Sequence, residues 1–134
     1  MKDAIIALIP ADAVGDEHLT LVYLTAEQAE QCAWELHETT ASISRMQVPF
    51  IADVVAHADF GMDGEDTVAV LQSPEAESLR YLVAQYSASQ WGFRPHVTLV
   101  QPRPVGSRIR FNRVGTWIGE EHTNWRLGAG TRCA

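Results

Sequence analysis

His18-Leu19-Thr20-Leu21-Val22-Tyr23-Leu24 and Arg94-Pro95-His96-Val97-Thr98-Leu99-Val100 are the two stretches on which the reading of this chain turns. Each alternates in the manner of a strand with one covered face, so residues two apart point the same way with roughly 7 Å between their α-carbons. His18, Thr20 and Val22 then share one face, and His96 and Thr98 share another, while the intervening leucines and valine turn to a core. Tyr23 has the parity of Leu19 and Leu21 and is assigned to that core. A chain of this composition would carry about 0.3 His-x-Thr triplets by chance, so a triplet alone is a weak signal. A third copy, His37-Glu38-Thr39, lies in a helical stretch where positions two apart face different directions, and it is set aside.

Working outward, Ala4 to Ile9 is an apolar run ended by Pro10 and reads as a buried strand. Thr25 with Gln28 three residues on forms a capping box ahead of Ala29, Cys32, Ala33, Leu36, Thr40 and Ile43 at helical spacing, which predicts a helix from Ala26 to about Ile43. Val48 to Phe60 and Thr67 to Leu71, joined by Gly61-Met62-Asp63-Gly64, read as a hairpin. Ser73-Pro74-Glu75 opens a second helix carrying Ala76, Leu79, Val83 and Tyr86 on one stripe and ending before Gly92. Arg108 to Ile118 and Trp125 to Leu127 are further strand candidates, with His122 in the turn between them. The expected fold is α+β: two-lobed, pseudo-duplicated antiparallel sheets with two covering helices, the His-x-Thr strands lining a central cleft.

The length of 134 residues suits a single domain spanning 1–134. With 17 acidic against 10 basic residues the net charge is −7, which gives no general attraction to a long nucleic acid. The Ala4–Pro10 run is too short to span a bilayer or to act as a signal core, so a cytoplasmic protein without membrane association is expected. Cys32 and Cys133 have neither disulfide-framework nor zinc-ribbon spacing and are expected to be inert.

Two histidines facing one another can serve as base and acid near neutral pH, since imidazole readily changes charge there. Beside a phosphodiester, one takes a proton from the attacking hydroxyl or water and the other protonates the departing oxygen. Two threonine hydroxyls can meanwhile donate to the nonbridging oxygens as charge builds. A single histidine on a half-buried strand is ordinarily structural; the duplicated placement is what sets this pair apart.

His18-Leu19-Thr20-Leu21 and Arg94-Pro95-His96-Val97-Thr98-Leu99 resemble the paired motifs of the 2H phosphoesterase superfamily, which includes 2′-5′ RNA ligase-like proteins, cyclic phosphodiesterases and phage-encoded anti-CBASS nucleases. The resemblance covers nearly the whole chain in order of elements, and the separation of the motifs fits a two-lobed layout. It implies His18 and His96 as the catalytic pair, Thr20 and Thr98 as phosphate ligands, and a phosphodiesterase of small nucleotides that needs no metal and no other cofactor. Trp125, after the polar turn Glu120 to Asn124, is the aromatic best placed to stack on a base, while Trp91, Phe93 and Trp117 read as core. Arg94 and Arg103 flank the second motif and are candidate phosphate ligands. His57 and His122 lack chelating spacing and are not read as metal ligands. Two rival readings are an RNA end-processing, ligase-like enzyme on tRNA and a nucleotide-binding module without turnover. The sequence leaves the oligomeric state open.

Overall fold

The structure, a computed structural model, describes residues 2–60, 66–83, 86 and 93–133. Its elements are β1 (Ala4–Pro10), β2 (Leu19–Leu24), α1 (Ala26–Met46), β3 (Phe50–Phe60), β4 (Asp66–Gln72), α2 (Pro74–Val83), β5 (His96–Thr98), β6 (Arg108–Ile118) and β7 (Glu121–Arg126). The hairpin loop and Trp91 lie outside the described residues. Every neighbouring pair of strands is antiparallel, in one seven-stranded sheet of order β2-β1-β6-β3-β4-β5, with β7 also paired to β6.

The long strand β6 divides this sheet into two lobes. Its start, Arg108 to Phe111, pairs with β3; its remainder pairs with β1 along one edge and, from Arg113 onward, with β7 along the edge that β3 has left. One lobe is therefore β2-β1-β6-β7 and the other β5-β4-β3 with the opening of β6, which gives the two-lobed, helix-covered α+β architecture expected from the sequence. None of the described helices is long and apolar enough to cross a membrane.

α1 begins at the expected capping box, with the Thr25 side chain accepting from the Gln28 amide and the Gln28 side chain accepting from the Thr25 amide. Its stripe of Ala29, Leu36, Thr40 and Ile43 is buried, and the Thr40 hydroxyl meets the Thr116 hydroxyl of β6 at 2.7 Å. The face of lobe one that bears Thr116 is thus the helix-covered face. Alternation then sends Arg113, Gly115 and Trp117 to the opposite face. In lobe two Ala69, Leu71 and Val97 join the core with Ala76, Leu79 and Val83 of α2, so His96 and Thr98 face away from it. Cys32 sits at a kink in α1, where its thiol donates to the Gln28 carbonyl and burial raises its pKa.

Three readings of single residues are corrected. Tyr23 is half exposed, because the β1–β2 register shifts between Ile6 and Ala7 and leaves Leu21 without a partner. The shift reverses parity beyond that point, burying Val22 and turning the Tyr23 phenol out to Asp3. Trp125 is 6% exposed and packs in the core, edge-on to His37, so it cannot serve as a platform for a base. Its strand pairing is the reason: Trp125 lies opposite Val114, on the helix-covered face. The polar turn expected around His122 is instead the opening of β7, and the turn is confined to Gly119 and Glu120.

Arg103 is the second candidate ligand to be reassigned, after Trp125. It is 6% exposed and four of its five N–H donors are engaged, two on Asp12 at 2.8 and 2.9 Å and two on Glu17 at 2.6 and 3.4 Å. Burial opposes its charge, but the hydrogen bonds to Asp12 and then Glu17 outweigh that and hold its pKa above the ordinary arginine value. Gln101 adds bonds of 3.0 Å to the Asp12 carbonyl and to Glu17. The segment after β5 is thereby fastened to the loop before β2. Arg103→Met should cost about 3–5 kcal/mol in urea denaturation, because the wholly buried Glu17 carboxylate would lose its partner. Asp12→Asn should cost no more than about 1 kcal/mol, since that side is exposed to water. The Arg103 hydrogen bond holds Asp12 below its usual range. Its contribution is therefore full above the unfolded value of about 3.9 and is lost as pH falls through the depressed one.

Candidate active site

The strands at the two ends of the sheet order, β2 and β5, lie against one another. Glu17, which immediately precedes His18, is bonded to Gln101, three residues beyond Thr98. The two His-x-Thr segments are consequently neighbours, each on the helix-free face of its lobe.

The histidines are held by the same local device. His18 Nδ1 donates to the Asp16 carbonyl at 2.5 Å, and His96 Nδ1 donates to the Arg94 carbonyl at 2.8 Å, in both cases the residue two before. A carbonyl oxygen only accepts, so Nδ1 must carry the proton and Nε2 is the nitrogen left for proton exchange. His96 lies in β5 as expected, whereas His18 stands just before β2, which begins at Leu19. Both rings are half-buried, Thr20 is half-buried and Thr98 is exposed.

Thr20 pairs with Ala7, Ala7 with Gly115 and Gly115 with Asn124, so this row crosses lobe one on the helix-free face. Beside it, Trp117 faces His122 across β6 and β7, and the two rings stack at 3.9 Å and 6°. The His18 ring lies 5.2 Å from Trp117. Gly115 makes this cluster possible: a Cβ there would stand 2.9 Å from His122 Nε2, 3.0 Å from Trp117 and 3.1 Å from Ile9. In lobe two Phe60, at the end of β3, meets the His96 ring edge-on at 4.5 Å. Each catalytic candidate therefore has one aromatic wall, Trp117 for His18 and Phe60 for His96. Trp117, read from sequence as core, is half-buried here; only the strand register shows that it shares the face of Thr20.

A recess of about 290 Å³ opens beside His18, lined by Ile9, Gly15, Asp16, Arg113, Trp117 and His122 among others. Arg94 is exposed and lends its backbone carbonyl to His96. His57, on β3, is tied to the Arg103 carbonyl at 2.7 Å and stands apart from the pair. His37-Glu38-Thr39 lies within α1 and contributes nothing to the site.

This architecture defines a class of fold in which two antiparallel lobes each present one His-x-Thr segment. The sequence matches no protein-family model and no curated protein. Among solved structures the chain is similar to LigT of E. coli complexed with 3′-AMP, at 18% identity and a TM-score of 0.54, over 94% of this chain and 98% of that one. It is also similar to TT0787 of Thermus thermophilus, at 15% identity and a TM-score of 0.60, over 93% and 94%. LigT complexed with NADP+ aligns at 15% identity and a TM-score of 0.58, over 95% and 98%. Both proteins are of the 2H phosphoesterase superfamily, so the resemblance carried by two short motifs extends to the fold of almost the whole chain.

Burial, and then the charges of Arg113 and His18, hold the His122 pKa below the ordinary histidine value of 6.5. At pH 6.5 His122 should therefore be mainly neutral, which favours its face-on stack with Trp117. Titration followed by imidazole NMR should show Arg113→Gln raising the His122 pKa, but only part of the way to 6.5, because burial remains. An unchanged or lower value would contradict this assignment of causes.

Proposed function

We propose that this chain is a 2H-type phosphodiesterase acting on a small nucleotide, a cyclic nucleotide, cyclic oligonucleotide or 2′,3′-cyclic phosphate, without a metal or other cofactor. The observation that carries the reading is the repeated device at the two histidines: each Nδ1 is committed to a backbone carbonyl, and each Nε2 is left to exchange a proton beside a threonine hydroxyl. In the reaction one Nε2 removes a proton from water or a ribose hydroxyl as its oxygen bonds to phosphorus. The other imidazolium delivers its proton to the departing ester oxygen as that bond breaks. Thr20 and Thr98 donate to the nonbridging oxygens as their charge grows. Water as nucleophile leaves a monoester; a 2′-hydroxyl leaves a cyclic phosphate. LigT, similar in fold, has been solved with 3′-AMP, with phosphate and with NADP+, which supports a nucleotide as the ligand class. We place the activity in the cytoplasm, on small substrates rather than long nucleic acid, in keeping with the charge of −7.

Incubation with cyclic dinucleotides, linear dinucleotides and 2′,3′-cyclic nucleotides, with product identification, tests the reading. At least one class should be cleaved in the presence of EDTA, with a bell-shaped pH profile, since one imidazole must be neutral and the other protonated. Saturable binding of the panel without product would replace this reading with a sequestering module. His18→Ala and His96→Ala should each lower kcat by about 10²–10⁴-fold without loss of fold, because both side chains stand outside the core. Thr20→Ser and Thr98→Ser should keep most activity, and Thr→Val at either position should lose about 10²-fold. Val variants as fast as the parent would reduce the threonines to strand-forming residues.

A further inference from the structure

A second concavity lies where β7 takes over from β3 along β6. It is a groove of about 950 Å³ lined by Arg110, Asn112, Arg113, Arg126 and Arg132, with Pro49 among its other lining residues. Four of the nine arginines of a chain with net charge −7 meet there, and among the described residues no acidic side chain lines the groove. Among the described residues none of the four has a carboxylate within ion-pair distance; the ion pairs belong to Arg103 and Arg108. Arg113 and Arg126 are direct cross-strand partners. Like charges so placed destabilise a sheet unless something of opposite sign lies between them.

Arg113 also lines the recess beside His18, so the two concavities share a wall. His18 precedes Leu19, which lies opposite Leu8 and through it Val114, so His18 is level with Arg113 but two strands from β6 and three from β7, roughly 10 and 14 Å at about 4.8 Å per strand. A phosphate held between β2 and β5 by His18 and His96 is therefore too far across the sheet to lie between Arg113 and Arg126 as well. The groove therefore addresses a different anionic group of the same ligand. We propose that it is a subsite for a second phosphate, so that the substrate class is a nucleotide with at least two phosphates, the outer one held by Arg113 and Arg126 with Arg110 and Arg132 at its sides. The guanidinium forks suit this task, since each can hold two phosphate oxygens at once. The proposal rests on the phosphodiesterase reading for the identity of the reacting phosphate, but the groove's own selectivity is measured by binding alone.

Calorimetry with adenosine 3′-phosphate and with the dinucleotide ApAp, which adds one internal phosphate, tests it. The wild-type protein should bind ApAp at least ~10-fold more tightly. Arg126→Gln and Arg132→Gln, both at exposed positions, should erase most of that advantage and leave the affinity for adenosine 3′-phosphate unchanged, while Arg126→Lys should restore part of it. An advantage that survives both glutamines comes from the extra base and overturns the proposal, as does an equal loss for both ligands or no advantage in the wild type. A charge-dependent advantage without turnover of any substrate would instead refute the phosphodiesterase reading and leave the subsite standing.

Discussion

One strand, β6, belongs to both lobes, and the placement of every other element follows from that. Where β3 stops pairing with it and β7 begins, the sheet divides into two four-stranded halves that share a backbone. The edge strands β2 and β5, farthest apart in the order of pairing, then come together and bring the His-x-Thr segments with them. The buried Arg103 with Glu17 and Asp12 fixes that approach at the level of side chains. Such a pair is held by mutual need: each charge would be costly alone in the interior, and their union ties the loop before β2 to the segment after β5.

Much of this was legible in the sequence because it is local. The capping box of α1, Ser73 before Pro74 and the apolar run of β1 each declare themselves within a few residues. The two motifs were legible because alternation puts His and Thr on one face. The failures were all matters of register or of distant partners. A one-residue shift between β1 and β2 inverted Tyr23, and the pairing of Trp125 with Val114 buried a tryptophan that follows polar residues. Arg103 flanks the second motif, yet Asp12 and Glu17, about ninety positions earlier, consume its charge. The arginine groove was equally hidden, since Arg110, Arg113, Arg126 and Arg132 are scattered along the sequence and converge only through the β6–β7 hairpin.

The site combines two kinds of constraint. Backbone carbonyls decide which nitrogen of each histidine can act, and aromatic neighbours, Trp117 and Phe60, shield one side of each ring. Gly115 keeps the floor of lobe one low enough for the stacked pair Trp117–His122 to lie across it. His122, whose pKa burial and then the charges of Arg113 and His18 lower, completes the stacked pair with Trp117 next to His18.

The central claim is that both histidines act on one phosphorus. A crystal structure with uridine vanadate, a five-coordinate analogue of cyclic phosphate opening, tests it most directly. The account predicts His18 Nε2 and His96 Nε2 each about 3 Å from opposite apical oxygens, with the Thr20 and Thr98 hydroxyls on equatorial ones. Vanadate bound by one histidine alone, or seated away from both, would contradict it.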